Sequence, residues 1–272
     1  MTQDSVPAHR VALVTGASSG LGAESARVLG RHGMSVVATA RSTDLLAELA
    51  ADWPGAPGSL LTITADVTDE DAVRSVVARA LSTYGRIDAL INSAGISDGT
   101  SPFSEVASAE KFRQVLETNV TGTFLFSREV GAHMLERRSG SIVNISSMSA
   151  DGGMEWGPLS YTASKAAVEG MTKQLAIEWA DRNVRVNAIA PNHFVTRITE
   201  SFLADPGFRS WVESRTPMRR IGDIDKDWAG AVLFLATDAS SYVTGEILHV
   251  DGGFTAARGT YQTTPSWLRR EA

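Results

Sequence analysis

Cysteine is absent from the 272-residue chain, which excludes disulfides, thiolate nucleophiles and cysteine-based zinc sites. Long apolar runs are absent as well, since none reaches the roughly 18 uninterrupted apolar residues of a membrane-spanning helix. The first ten residues have no apolar core and carry Asp4, a pattern that does not fit a secretory signal peptide. We therefore expect a cytoplasmic protein with no membrane partner.

Basic clusters are also scarce. No run of Lys or Arg exceeds two residues and the formal net charge is -6, which argues against nucleic acid as the main partner. The five histidines show no metal-ligand spacing, so we expect surface or packing roles for them and no metal site. The length and ordinary composition predict one large α/β domain over residues 1–272.

Seven apolar runs alternate with helical stretches along the chain. The predicted strands cover residues 11–14, 34–40, 60–65, 89–91, 141–145, 184–188 and 246–250. Runs that are apolar at consecutive positions are typical of parallel strands buried on both faces. The alternation predicts βαβ units and a Rossmann-type, doubly wound parallel sheet of about seven strands. Such sheets bind ligands at the carboxyl ends of their strands.

The first predicted strand is followed by the glycine-rich loop TGASSGLG at residues 15–22 and then by a helical stretch. Gly16 allows the tight turn, while Gly20 and Gly22 leave room for a pyrophosphate against backbone N–H groups at the helix N-terminus. A simple turn is the alternative, but a strand before it and a helix after it favour a dinucleotide site. The predicted cofactor contacts in this loop are Gly16, Ser18, Ser19, Gly20, Leu21 and Gly22.

The second predicted strand ends at Ala40, where an acidic residue would hold the ribose 2′-hydroxyl of NAD. Arg41 follows instead, and its guanidinium can pair with a 2′-phosphate. We therefore predict NADP as cofactor, with NAD as the alternative; a solvated arginine at the start of the next helix is the competing interpretation. Asp66, beside Val67 after the third strand, is placed to accept from the adenine amino group or, equally, to cap the next helix.

Tyr161 and Lys165 stand four residues apart in the stretch YTASK, which begins a helical pattern. This spacing places both side chains on one helix face. A free tyrosine has a pKa of about 10, and lowering it to about 7 takes roughly 4 kcal/mol. An ammonium about 4 Å away at an effective dielectric of about 20 supplies about that much. Lys165 is thus expected to be nearly sufficient for an acid–base pair, which a cationic cofactor ring would complete. The alternative is an incidental pair on a helix surface.

Small and polar residues follow the other predicted strands. Asn92, Ala94 and Gly95 come after the fourth strand, where small residues let backbone approach a flat ligand. Ser147 comes just after the fifth strand, and the Tyr161 helix starts at the same edge. Because the carboxyl ends of parallel strands share one edge of a sheet, we expect a single shared site.

Residues 192–222 form a long stretch predicted to be irregular and rich in aromatic side chains. An insertion of this length in a compact domain is more often a substrate lid than a connector, so we predict a substrate loop. Asn119 lies between or within two predicted helices, 104–117 and 120–137, and needs hydrogen-bond partners there.

From about residue 10 to 253 the chain resembles the short-chain dehydrogenase/reductase family of the single-domain kind. The motifs are TGASSGLG, the DV at Asp66, NSAG, the NV at Asn119, ISS ending at Ser147, YTASK, and the VDGG at Asp251. The resemblance implies that Tyr161 is the acid–base. It also implies that Lys165 lowers the tyrosine pKa and binds the nicotinamide ribose.

The same resemblance implies that Ser147, rather than Ser146, holds the substrate carbonyl oxygen, and that Asn119 braces a proton-relaying water. Phe194 and Thr196 match positions that meet the nicotinamide carboxamide. The implied activity is reversible, NADP(H)-dependent interconversion of a secondary alcohol and a ketone by a homotetramer or homodimer.

The stretch at residues 215–222 is similar to sugar-acid dehydrogenases of the gluconate type. Arg219 and Arg220 are candidates there for contact with a substrate carboxylate, with solvated arginines as the alternative. The tail at residues 254–272 carries Tyr261 and Trp267 and is predicted to dock on a neighbouring subunit.

Two other function classes compete with this interpretation. A non-catalytic dinucleotide sensor or scaffold predicts erosion of the acid–base set, yet all four candidate residues are present. A sugar-nucleotide epimerase also uses a tyrosine and a lysine, but it normally needs a larger substrate domain after the sheet.

Overall fold

The computed structural model describes residues 10–53, 58–98, 104–152 and 158–257, and the strands in these ranges form one all-parallel sheet. They are β1 (Val11–Thr15), β2 (Ser35–Ala40), β3 (Leu60–Thr64), β4 (Ala89–Asn92), β5 (Gly140–Ile145), β6 (Val184–Pro191) and β7 (Ile247–Val250). Their order across the sheet is β3-β2-β1-β4-β5-β6-β7. The predicted seven-stranded, Rossmann-type α/β fold is confirmed.

Helices occupy most of the connections between the strands. They are α1 (Gly20–Arg31), α2 (Thr43–Ala51), α3 (Glu70–Tyr84), α4 (Ala109–Leu116), α5 (Gly122–Arg137), α6 (Leu159–Trp179), α7 (Glu200–Leu203), α8 (Pro206–Arg215), α9 (Ile224–Asp227) and α10 (Ala229–Ala236). Within the described ranges, no helix is both long and apolar enough to cross a bilayer.

The sheet is buried on both faces because its strands are apolar at consecutive positions. In β1, Ala12 and Val14 point into a core formed with α1, α2 and α10, while Val11 and Leu13 point into a second core formed with α3, α5 and α6. All four side chains are at most 2% exposed. This alternation within an unbroken apolar run places the helices in two layers, one on each side of the sheet.

Five of the ten helices in the described ranges have a polar side chain that caps the first turn. Ser42, Asp69, Ser108 and Asp205 each accept a hydrogen bond from a backbone N–H in the first turn of α2, α3, α4 and α8. At the start of α1 the side chain of Ser19 makes no such bond. The first N–H groups of α1 therefore stay available to a ligand at the end of β1.

Two predictions about the connections needed correction. Residues 192–222 are not irregular throughout, because they contain α7 and α8; Asp205 caps α8 and Pro206 lies in its first turn, a start signal typical of helices. The two helices predicted around Asn119 are joined without a break by a π-helical turn at Glu117–Thr121. The tail residues Tyr261 and Trp267, predicted to dock on a neighbouring subunit, lie outside the described residues.

Candidate active site

Two loops at the carboxyl edge of the sheet are locked together by Thr15. Its hydroxyl accepts hydrogen bonds from the backbone N–H groups of Ser93 and Ala94, both at 3.1 Å. A Cβ on Gly16 would lie 2.7 Å from Ala94 Cα, and Gly16 has a φ of +64°. A Cβ on Gly22 would collide with the carbonyl oxygen of Gly16. Only glycine fits these two positions, because a side chain at either one would collide with backbone atoms of the two loops.

A cleft of about 470 Å³ opens along this edge. The predicted site residues that line it are Gly16, Ser18, Ser19, Gly20, Leu21, Gly22, Arg41, Val67, Ala94, Gly95, Ser147, Tyr161, Lys165, Phe194 and Thr196. A dinucleotide fits this lining, because the first N–H groups of α1, which no side chain caps, lie at the cleft beside the glycine loop and can donate to a diphosphate. Arg41, whose side chain is 59% exposed, supplies a guanidinium at the β2 end.

Three predicted site residues do not line the cleft. Asn92 donates instead to Ser127 Oγ and Asn144 Oδ1, both at 2.9 Å, so its side chain is turned into the fold. Asp66 accepts hydrogen bonds from the backbone N–H and the hydroxyl of Thr68, while the cap of α3 is Asp69. Sequence could not distinguish these contacts from a ligand contact, since each depends on side-chain direction.

Asn119, the third of these residues, lies behind the cleft. Its side-chain amide donates to Ile96 O and Ser164 Oγ, both at 2.9 Å, and its Oδ1 accepts from Ile96 N–H at 2.8 Å. A Cβ on Gly95 would lie 3.4 Å from Asn119 Oδ1 and 3.5 Å from Lys165 Nζ. Asn119 therefore fixes the Gly95–Ile96 backbone beside the lysine.

Tyr161, Ser147 and Lys165 meet in the middle of the cleft. Tyr161 and Lys165 project from the first turns of α6, and Ser147 hydrogen-bonds to the Tyr161 phenol. Lys165 Nζ lies 5.5 Å from the centre of the Tyr161 ring and donates to Ile145 O at 2.7 Å. These three groups, a phenol, a hydroxyl donor and a buried amine, can together form an acid–base site.

The electrostatics of this group are governed by burial. Burial raises the pKa of Tyr161 above its usual value, and the hydrogen bond to Ser147 opposes this increase. Burial also lowers the pKa of Lys165 to about 8. Burial and the Ser147 hydrogen bond thus act on the phenol in opposite directions, and the lowering of the Tyr161 pKa by Lys165 together with a cationic cofactor ring stays a prediction.

The two adjacent serines after β5 face different surroundings. Ser146 is 1% exposed and donates to Glu169 Oε1 at 2.7 Å. Burial raises the pKa of Glu169, and the Ser146 hydroxyl opposes that shift. Ser147 reaches the Tyr161 phenol and accepts from Ser149 N–H at 3.2 Å. The serine predicted for the chemistry is thus the one beside the tyrosine.

The cleft is also lined by residues that sequence reasoning missed, among them Met148, Ser149, Pro158, Arg197 and Ile198. His193 also lines it and packs edge-on against Phe208, so the packing role expected for histidines holds there. Burial lowers the pKa of His193 to about 4, which keeps the ring neutral at pH 7. In the described part of the chain, no group of three His, Asp or Glu side chains is placed to hold a metal ion.

The arginines proposed as carboxylate contacts lie elsewhere. Arg220 pairs with Asp227, with one contact at 2.9 Å, and Arg219 donates to Ser214 O. Neither belongs to the cleft lining. Arg219 is thus held by the end of α8 and Arg220 by the end of α9, away from the cleft.

Comparisons with known proteins agree with this architecture. A family model described as Enoyl-(Acyl carrier protein) reductase matches residues 16–255. The chain is 39% identical over 246 residues to the gluconate 5-dehydrogenase of Gluconobacter oxydans, covering 90% of this chain and 94% of that protein. It is 40% identical over 253 residues to 3beta-hydroxysteroid dehydrogenase 1 of Eggerthella lenta, covering 92% and 95%.

A solved structure resembles the whole fold. The gluconate 5-dehydrogenase of Burkholderia cenocepacia in complex with NADP and tartrate matches with a TM-score of 0.86 at 32% identity, covering 94% of this chain and 99% of that one. These relatives share the length and fold but are named for different substrates, so the substrate has to be argued from the cleft.

Proposed function

Because this chain belongs to the short-chain dehydrogenase/reductase family of oxidoreductases, we propose that it interconverts a secondary alcohol and a ketone with NADP(H), with Tyr161 as the acid–base. The observation that carries the proposal is the meeting of Tyr161, Ser147 and Lys165 in a cleft that also holds the glycine loop and the uncapped start of α1. NADP rather than NAD is supported by Arg41 at the cleft, after a strand that ends without a carboxylate.

Each protein group has a defined task in this proposal. In the oxidising direction, the Tyr161 phenolate takes the hydroxyl proton of the alcohol, and in the reducing direction the phenol returns it. The Ser147 hydroxyl donates to the substrate oxygen and holds it beside the phenol. A nicotinamide cofactor held by these residues would supply the hydride acceptor, and the positive charge of its oxidised ring would favour the Tyr161 phenolate.

Lys165 and Asn119 assist this chemistry without touching the reacting oxygen of the substrate. The Lys165 ammonium binds the nicotinamide ribose and adds positive potential near the phenol. Asn119, fixed by its three hydrogen bonds, braces a water that carries protons between Lys165 and solvent. Phe194 and Thr196, which line the cleft after β6, hold the carboxamide end.

The segment at residues 192–222 is proposed as the substrate lid, because Phe202 and Phe208 from it line the cleft. The chain is proposed to form a single domain with a core at about 10–253 and a tail at 254–272, and a cytoplasmic location stays a prediction. A homodimer or homotetramer is supported by α6, where Gly170 is exposed and a Cβ there would touch nothing in its own subunit.

The test is a panel of secondary alcohols and ketones, sugar acids included, assayed with NADP(H) and NAD(H) at 340 nm. We expect turnover with a preference for NADP(H). Binding of NADPH without turnover of any panel member would instead favour the non-catalytic sensor. Light scattering after size exclusion measures the assembly in the same preparation.

A further inference from the structure

Two loops from distant parts of the chain meet at the start of α1. The turn at residues 196–199 lies against the glycine loop, because a Cβ on Gly20 would be 3.2 Å from Thr196 Cβ. Thr199 fixes the turn: its N–H donates to Thr196 O at 3.0 Å, and its hydroxyl accepts from Thr196 N–H at 3.0 Å. Arg197 follows Thr196 in this turn and lines the same cleft as Gly20. The turn therefore brings an arginine to the end of the cleft where a diphosphate would meet α1.

The glycine loop alone does not neutralise a diphosphate. Its sequence TGASSGLG contains neither lysine nor arginine. The N-terminus of α1, where Ser19 provides no side-chain cap, contributes a positive charge of about half an elementary charge. Each phosphate of a dinucleotide carries a negative charge, so most of the charge of the pair is left for other groups. We therefore looked for a cation on the elements that face the loop.

Three cations line the cleft in the described part of the chain, and two of them already have tasks on a dinucleotide. Arg41 follows β2 and is assigned to the 2′-phosphate. Lys165 is 5% exposed, donates to Ile145 O at 2.7 Å and is assigned to the nicotinamide ribose. Arg197 is exposed, and within the described ranges no carboxylate forms an ion pair with it. The described lining residues include no aspartate or glutamate, so the cleft offers the Arg197 guanidinium no acidic partner.

We propose that Arg197 binds the diphosphate of the cofactor, so that the dinucleotide is held between the glycine loop and the turn at residues 196–199. The inference rests on the proposed function, because it adds a residue to the cofactor side of the same site. A guanidinium can donate two parallel hydrogen bonds to phosphate oxygens and carries a full charge, which the N–H groups of α1 do not. Since NADP and NAD share the diphosphate, Arg197 strengthens the binding of both, whereas Arg41 favours NADP.

The test measures binding rather than turnover. NADPH, NADH and ADP-ribose, which has the diphosphate but no nicotinamide, are titrated into wild type and Arg197→Gln by isothermal calorimetry. The control is Arg209→Gln, because Arg209 is an exposed arginine of the same segment, pairs with Glu213 at 3.2 Å and is absent from the lining. We expect Arg197→Gln to raise the Kd of all three ligands by the same factor, about 2- to 5-fold, as for an exposed ion pair. This factor should shrink as salt is added, and the control should leave all three Kd values unchanged.

The pattern of losses decides between the possible contacts of Arg197. A loss confined to NADPH would overturn the proposal and assign the arginine to the 2′-phosphate. A loss for NADPH and NADH but not for ADP-ribose would overturn it in favour of the nicotinamide end, and three unchanged Kd values would show that Arg197 does not touch the cofactor.

A second variant separates the charge from the fold. Arg197→Lys keeps the positive charge, so it should lose less affinity for all three ligands than Arg197→Gln does. An equal loss in the two variants would overturn the charge contact. Failure of wild type to bind any of the three ligands would instead contradict the proposed function itself.

Discussion

The adjacent serines after β5 allow a paired experiment, because one hydroxyl faces the chemistry and the other faces a buried carboxylate. Ser147→Ala removes the hydroxyl that hydrogen-bonds to the Tyr161 phenol. A hydrogen bond to a charged group contributes about 1.5–3 kcal/mol. Since the Tyr161 phenolate and the developing charge on the substrate oxygen both depend on this donor, kcat should fall about 10- to 100-fold.

Ser146→Ala has the opposite profile. The change leaves Glu169, which is 8% exposed, without its 2.7 Å donor. A buried acceptor that loses its partner costs about 1–3 kcal/mol of folding free energy. At about 2–4 °C per kcal/mol, the expected fall in Tm is roughly 2 to 10 °C. The catalytic rate should stay within about fivefold of wild type.

The assay pairs initial rates at saturating NADP⁺ with thermal unfolding followed by circular dichroism. Ser147→Ala should show the larger loss of kcat and the smaller shift in Tm. The reverse pattern would refute the reasoning, because it would mean that Ser146 holds the substrate oxygen and that Ser147 is structural.

Three further predictions address single side chains. Tyr161→Phe should lower kcat about 10²- to 10⁴-fold, the usual contribution of a general acid–base, while the Kd for NADPH changes less than threefold; retained turnover would contradict the assignment. Arg41→Ala should weaken NADPH by roughly 2- to 5-fold, because an exposed ion pair contributes up to about 1 kcal/mol, and should leave NADH nearly unchanged; equal losses in titrations of both would overturn the 2′-phosphate contact. His193, with a pKa of about 4 against about 6.5 when unfolded, binds fewer protons in the folded protein, so stability that is full above pH 6.5 is lost as the pH falls towards 4. The free energy of unfolding, measured in urea, should fall between pH 7 and pH 4.5 by up to about 3 kcal/mol less in His193→Asn than in wild type. An equal fall in both proteins would show that other groups cause it.

The sheet could be predicted from sequence because its signals are local. Unbroken apolar runs such as Val11–Val14 are buried on both faces whatever surrounds them, and the glycine loop follows at once. The family motifs then indicated which polar residues follow each strand. The start of α8 also has a local signal in the sequence, the cap Asp205 followed by Pro206. The segment was nevertheless predicted to be irregular, and its aromatic residues were interpreted as part of a substrate loop.

The parts that could not be predicted depend on direction and burial. The sequence predicts that Lys165 lies one helical turn after Tyr161. It does not predict the hydrogen bond from Lys165 to Ile145 O or the desolvation that lowers the lysine pKa. Asn92 and Asn144 form a polar contact inside the fold, which no spacing rule indicates. Arg197 lacked any motif, and only the turn at residues 196–199 shows that it faces the cleft.

The π-turn at Glu117–Thr121 makes the position of Asn119 depend on the number of residues between α4 and α5 as well as on their identity. It fits one residue more than a regular α-helix would need between α4 and α5. Deleting one residue there would remove the bulge and restore the regular winding, while α4 and α5 keep their orientation. Asn119 would then lose the backbone position that its hydrogen bonds to Ile96 and Ser164 require, so the deletion should impair the enzyme.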